Sequence, residues 1–452
     1  MKRIYLLVAA FLSLTALTAQ TTFRKIQNLI PRDQNGINQF DVKKDSVGFK
    51  GLSVDLGGAL ALQFQGVKSF NEQSNLAAPI EGYRLNNLVN NFNLPTANMT
   101  IGAQLYDGVR VNLELYLASR HHNDTWVKGG YLQIDKLDFI NKDFLAAFMQ
   151  YATIKIGQME NNYGDAHFRR SDNGSTLVNP FIGNNIMDAF ITEMGVEFYY
   201  NRNGFVSMIG LTNSKLNQNV KEIVPSSPTQ NTTISPTILA KVGFDKQIDT
   251  DLRMRLTGSL YHVSNISGNL YGSDRAGSRF YGVMTHAGYT GVSGTVADNF
   301  DPAVNKDTGR FNPGYGNWAT SYMINPFVKY KGLEFFGTLE FTSGGDAKGN
   351  DDTRTVNQYV GDVLYRFGNK ENFYIGAKYN VVTGKLNNAD ANEVTVNRLE
   401  TGAGWFFTKN ILTKVVYVDQ NYNDFSQFTE GNPNDLYGGR FNGVLFEAVI
   451  TF

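Results

Sequence analysis

The chain has 452 residues, with 41 Lys and Arg against 41 Asp and Glu, no Cys, 45 Gly, 23 Tyr and 32 Phe. Balanced charge argues against nucleic acid, which calls for a basic surplus, and the lack of thiols excludes disulfides and a lipid-attachment cysteine. Tyr, Phe and Gly in this abundance point to many strands joined by tight turns.

Residues 1–20, MKRIYLLVAAFLSLTALTAQ, open with Lys2 and Arg3. An apolar run from Ile4 to Leu14 follows, broken only by Ser13, and then the small residues Ala16, Thr18 and Ala19. That is the layout of a secretory signal peptide, 1–19. The run is short of the roughly 20 apolar residues of a spanning helix, and no later stretch approaches that length. Removing it leaves 39 basic against 41 acidic residues, because Lys2 and Arg3 go with it. Residues 20–50, with RDQNGINQFDVKKD at their centre, are polar and precede the first strand signal.

The first strand is LSVDLGGALALQF, 52–64. Leu52, Val54, Leu56, Leu60, Leu62 and Phe64 share one parity; Ser53, Asp55, Gly57, Ala59, Ala61 and Gln63 share the other. A hairpin follows over 99–117, turned by Asp107-Gly108. Its second arm alternates Val109, Val111, Leu113, Leu115 and Leu117 with Arg110, Asn112, Glu114 and Tyr116. Further strands are expected at 128–137, 153–159, 192–200, 205–212, 237–246, 252–263, 321–331, 333–342, 355–367, 373–382, 394–407, 411–421 and 440–452, about sixteen in all. The last, FNGVLFEAVITF, alternates Phe441, Val444, Phe446, Ala448, Ile450 and Phe452, interrupted by Asn442-Gly443.

Connections alternate in length. Tight turns at 201–204, 246–251, 329–333, 367–372 and 408–410 are interleaved with long polar loops at 67–97, 120–127, 160–191, 213–236, 264–320, 343–354, 383–393 and 422–439. A soluble sandwich has no reason to sort loop lengths by side, whereas an outer-membrane barrel does. The expected fold is therefore an all-β transmembrane antiparallel β-barrel over residues 51–452, with long extracellular loops and short periplasmic turns. Closure leaves no sheet edge unpaired in lipid. The apolar parity then faces lipid and the polar parity faces the lumen, which about sixteen strands make too wide for side chains to fill. Arg110, Asn112, Glu114, Arg253, Arg255 and Glu340 are accordingly expected to line water. On the lipid face at mid-depth an Arg costs roughly 2–4 kcal/mol. Aromatic clusters at strand ends, Phe198-Tyr199-Tyr200, Phe335-Phe336 and Trp405-Phe406-Phe407, fit interfacial girdles or core packing. Residues 20–50 read as a periplasmic extension, as an arm tucked into the lumen, or as a disordered leader.

Chemistry is sparse. His121-His122 with Asp124 lack a third metal ligand at useful spacing. Asp346, Asn350, Asp351 and Asp352 lack the fixed spacing and terminal Glu of a calcium loop. In YHVSN, His262, Ser264 and Asn265 are neighbours without a catalytic signature. No P-loop, dinucleotide fingerprint, nucleophile elbow or zinc-protease helix is present, so neither catalysis nor a cofactor is expected.

The stretch IKIGQMENNYGDAHFRRSDNG, 154–174, is the exception. A strand ends in Gly157-Gln158, and a loop of about 30 residues follows with an aromatic-Gly-acid triplet, Tyr163-Gly164-Asp165. With the strand pattern of nearly the whole mature chain, this resembles the porin superfamily and, within it, the phosphate-selective porin O and P type, including its relatives in Bacteroidetes-like bacteria. That family often has Pro-Phe-Gly where Asn162-Tyr163-Gly164 stands here. The resemblance implies a passive diffusion channel for small polar solutes or ions, in the outer membrane of a Gram-negative bacterium. It also implies a homotrimer, and a loop at this position that folds inward to narrow the lumen. Glu160, Asp165, Arg169, Arg170 and Asp172 would form the constriction, facing Arg110, Glu114, Arg253 and Arg255 on the wall across a transverse field. The alternatives are a solvated extracellular loop and a substrate-specific, envelope-complex or adhesion-type barrel without general pore activity. Loop 264–320, rich in Gly, Asn and Asp, would serve either as a lid or as a surface for envelope protein partners.

Overall fold

The computed structural model describes residues 26–72, 85–118, 125–214, 235–265, 270–272, 278–285, 308–345, 353–385, 393–426 and 436–452. The expected signal peptide, the His121-His122-Asp124 group and the acids of 346–352 lie outside these residues.

The expected barrel is present, with sixteen antiparallel strands in one closed sheet. They are β1 (Ser53–Phe70), β2 (Asn91–Tyr106), β3 (Val109–Ala118), β4 (Thr125–Ile134), β5 (Ala152–Glu160), β6 (Thr192–Arg202), β7 (Phe205–Thr212) and β8 (Thr237–Gln247). The second half comprises β9 (Leu252–Val263), β10 (Ala319–Tyr330), β11 (Leu333–Gly345), β12 (Thr353–Phe367), β13 (Phe373–Gly384), β14 (Val394–Thr408), β15 (Ile411–Asn423) and β16 (Arg440–Thr451). Each pairs with its chain neighbours, and β1 with β16 closes the ring from Ala59↔Thr451 to Phe70↔Arg440. β7 and β9 fall on their expected ranges. β1 runs past Phe64, because Lys68 and Phe70 still pair with Asn442 and Arg440 beyond the apolar alternation. β2 starts before Met99, because Asn91 and Phe92 pair with Gln65 and Phe64 of β1.

Period 2 sorts the side chains as expected on the outer wall. In β12, Tyr359, Val363, Tyr365 and Phe367 are exposed, while Arg354, Gln358, Asp362 and Arg366 are buried. The aromatic clusters split by the same rule. Phe335, Trp405 and Phe407 face out, whereas Tyr199, Phe336 and Phe406 are buried inside.

The interior departs from expectation. It is not simply water-lined; three segments of chain fill much of it. Residues 26–50 lie across the turn-side mouth, where Gln34 N–H donates to the Lys409 carbonyl (2.8 Å) and Arg32 pairs with Asp55 (2.5 Å). Lys44 reaches Asp135 (3.0 Å). Phe40 is fully buried among Phe168, Phe327 and Phe336, with ring centroids 5.1–6.1 Å away. Loop 161–191 crosses the middle. Parts of 264–320 descend from the other mouth, placing Tyr271, Phe280 and Tyr315 inside.

Toward the long-loop mouth the inward parity itself turns apolar. Val356, Val382, Val416, Val418 and Leu445 pack with Ile182, Ile186 and Met187 of the loop and with Tyr271 and Phe280. Apolar wall positions such as these need cover from water, and the loops supply it. A lumen too wide for side chains is here filled by backbone segments that bring their own.

Candidate functional site

Loop 161–191 leaves β5 and stays inside the ring. Its first turn depends on Gly164, whose φ is +68. A side chain there would strain this left-handed turn, and its Cβ would sit 2.0 Å from Met323 Sδ on β10, which would have to move aside. Asp165 follows, fully buried. Its N–H donates to Asn325 Oδ1 (2.7 Å). Its carboxylate accepts from Arg255 twice (2.8 and 2.9 Å), from the Thr257 hydroxyl (2.6 Å) and from Lys241 (3.2 Å). Burial alone would raise the Asp165 pKa, but the charges of Lys241 and Arg255 outweigh it and hold the carboxyl well below the usual range.

Arg169 and Arg170 diverge. Arg169 reaches Glu334 on β11 (2.7 Å) and Asp362 on β12 (3.2 Å), touches Asn38 of the arm, and lies over the Phe336 ring. One guanidinium thereby ties arm, loop and wall together. Arg170 makes a two-pronged pair with Asp188 (2.9 and 2.6 Å) and stacks 4.1 Å above the Phe190 ring. Asp172 meets Lys128 of β4.

The loop's backbone, unable to form a sheet, is satisfied by inward side chains of distant strands. Ile186 and Met187 N–H groups donate to Asn380 and Gln358 (2.7 and 2.9 Å). Lys414 of β15 donates to the carbonyls of Thr176, Asn179 and Phe181 (2.9–3.2 Å). Arg398 of β14 donates to the Asn184 carbonyl (2.6 Å), and Asn173 returns a bond to the Ala97 carbonyl of β2 (3.0 Å). The loop is thus pinned from β2 round to β15.

The three wall arginines anticipated from sequence are inward, but not opposed to loop acids across a gap. Arg110 donates to Gln133 (2.6 Å) and to the Asn28 carbonyl of the arm (3.1 Å). Arg253 pairs with Asp245 (2.9 and 2.7 Å) and donates to the Asn38 carbonyl (2.9 Å). Arg255 adds Asp41 (2.7 Å) to its bonds with Asp165. Arg255 and Asp165 are in contact, which is a structural pair rather than a field across water. Burial forces such pairing, since an unpaired charge in this interior would be costly.

One quadrant is open. Between the loop and the β3–β6 wall lies a polar cavity of about 230 Å³. Glu114 and Glu160, both singled out from sequence, line it, joined by Lys128, Lys155, His167 and Glu197. Glu160 faces His167 (3.5 Å), and Glu114 is 3.8 Å from Lys128. The Lys155 ammonium sits over the Tyr131 and Tyr199 rings at 5.4 and 4.9 Å. Across the loop, against β10–β13, a cavity of about 30 Å³ remains.

Sequence reading did not single out Lys128, Lys155, Lys241, Glu334, Asp362, Arg398 or Lys414. Each sits at the inward parity of an expected strand, and that was the available signal. Of the remaining candidates, His262 is near the rim, with Ser264 on one ring nitrogen (3.2 Å) and Thr320 on the other (2.8 Å). Thr320 offers a hydroxyl where a general-base histidine needs a carboxylate or amide to hold its tautomer. Among the described residues no three His, Cys, Asp or Glu gather as a metal group.

No protein-family model and no curated protein matches the chain. Solved structures similar to it include the anion-selective porin from Comamonas acidovorans (12% identity, 89% of this chain and 100% of that one, TM-score 0.49). OmpF of Salmonella typhi, in complex with daunomycin, is comparable (12%, 89% and 98%, 0.49), as is OmpT of Vibrio cholerae (10%, 90% and 100%, 0.47). At such identities these likenesses assign no role to any residue of this chain.

Proposed function

We propose that the chain is an outer-membrane channel of a Gram-negative bacterium for ions and small hydrophilic solutes, narrowed by loop 161–191. The observation that carries this reading is the charged cavity between that loop and the β3–β6 wall. At about 30 Å³ per water, 230 Å³ suits a small cluster of waters, an ion or a small molecule. The outer wall supports placement in a membrane: Leu256, Ile209, Val242, Tyr322 and Trp405 are all exposed on it. Passage is passive, and no step of chemistry is assigned.

Roles divide within the notable residues. Glu114, Glu160, Lys128 and Lys155 face the permeating species. Asp165, Arg169, Arg170 and Asp172 hold the loop in place, and Arg110, Arg253 and Arg255 hold the arm and the loop. With bases and acids paired nearly one to one, nothing in the constriction favours phosphate over other small ions. Trimeric assembly is part of the resemblance and enters here as an expectation.

Planar-bilayer recording of the refolded protein tests the reading. Small ion-permeable steps are expected. Lys155→Glu should shift the cation/anion permeability ratio toward cations by about twofold or more, read as reversal potential in a salt gradient. A wild-type protein that gives no steps would select the second reading, a barrel without general pore activity. The apolar packing inside the long-loop half of the lumen favours that alternative.

A further inference from the structure

The connection between β4 and β5 is unlike the other turns on its side. Those span two to five residues, whereas this one runs from 135 to 151 and contains a one-turn helix, α1 (Ala146–Met149). Within ten residues it exposes Phe139 (49%), Ile140 (60%), Phe144 (41%), Leu145 (51%) and Phe148 (42%). A cluster of five large apolar side chains on a water-facing turn calls for an occupant.

The segment is held in place. Asp135 N–H donates to the Gly108 carbonyl (2.6 Å) at its root, and Lys136 pairs with Asp107 (2.7 Å). At its far end Asn201 N–H donates to the Tyr151 carbonyl (2.9 Å), and the Arg202 guanidinium lies over the Tyr151 ring. Left-handed residues at Asp143 and Leu145 fold the chain back. Phe148 then stacks on Phe198 (6.0 Å, 12°) and Tyr200 (5.7 Å, 26°), both on the outer side of β6. The cluster is therefore continuous with the aromatic edge of the outer wall. Lys142, exposed between Ile140 and Phe144, carries a charge suited to a phosphate headgroup.

We propose that residues 137–149 form a foot lying in the headgroup–acyl boundary of the periplasmic leaflet, with phospholipid as its occupant. This rests on the reading of the outer wall as a lipid-facing belt. The cysteine-free chain permits a direct test by single-site spin labelling in lipid bilayers. Phe144→Cys and Ile140→Cys label the foot, Leu256→Cys the belt and Asp249→Cys a water-exposed turn. Collisions with oxygen and with a water-soluble nickel chelate should place both foot labels between the belt and turn labels in depth, with oxygen favoured. Nickel access equal to that of the Asp249→Cys label would overturn the foot. Exclusion of both reagents would overturn it too, by indicating cover from a second copy or another protein. Nickel access at Leu256→Cys would instead sink the belt reading itself, a distinguishable failure.

Discussion

Asp165 makes five hydrogen bonds through one side chain and one amide, to four residues on three strands: Asn325 on β10, Arg255 and Thr257 on β9, and Lys241 on β8. Asp165→Asn keeps the shape but leaves two buried cations short of a counter-charge, which costs about 3–5 kcal/mol. Hydrogen exchange should report it as lost amide protection confined to 161–191. The pH dependence has a definite sign. Because the folded Asp165 pKa lies below its ordinary 3.8, its contribution is complete above that value. It fades only as pH falls through the folded pKa. Loop protection, corrected for intrinsic exchange rates, should therefore be flat from pH 7 to about 5 and decline only in strong acid.

Among the strands, β16 shows how a local irregularity serves closure. Asn442-Gly443 breaks the apolar alternation in the sequence, yet the strand continues through it. Gly443 has φ +155, and a Cβ there would fall 2.1 Å from the Gly66 carbonyl oxygen of β1. Gly443→Ala strains the β1–β16 seam by on the order of 1–3 kcal/mol. A lower temperature of transition from the compact to the unfolded band in heated detergent gels is the expected readout. The strands themselves are legible because each sends its apolar parity to the exposed outer face with a period of 2. The strand ends past Phe64 and before Met99 are not, because beyond that apolar face no solvent boundary writes a pattern. The arm, 26–50, was left open for a related reason. A polar segment docked on polar partners, as Asn28 is on Asp135 (2.9 Å), has the same composition as one in water. The pairing of Arg169 with Glu334 and Asp362 was hidden by separation of more than 160 residues.

At the scale of the whole molecule, the barrel is less a pipe than a shell round a second layer of protein. The outer wall, closed on itself, leaves no strand edge unpaired. The inner layer shares an apolar core with the inward face of that wall and adds a network of buried pairs. In the channel proposed above, conductance would be a property of what is left over, and the turn-side mouth is where most could be restored. A variant that keeps residues 1–25 but lacks residues 26–50 loses Phe40 from its nest, the Asn38 contact with Arg169 and the Arg32–Asp55 pair. Its single-channel steps should be several-fold larger than wild type. Steps of unchanged size would place the narrowest point wholly within the loop.

The ring closes between the first strand and the last, while loop 161–191 bonds to β2 on one side and β15 on the other. Loop 161–191 joins the adjacent strands β5 and β6 at one rim, so it reaches the lumen through the open mouth and needs no gap in the sheet. Closure and filling are nonetheless coupled in the finished barrel. Glu447 of β16 meets Lys414 of β15 and the inner-layer Arg279, so the closing strand is bonded both to its neighbour in the sheet and to the layer inside it.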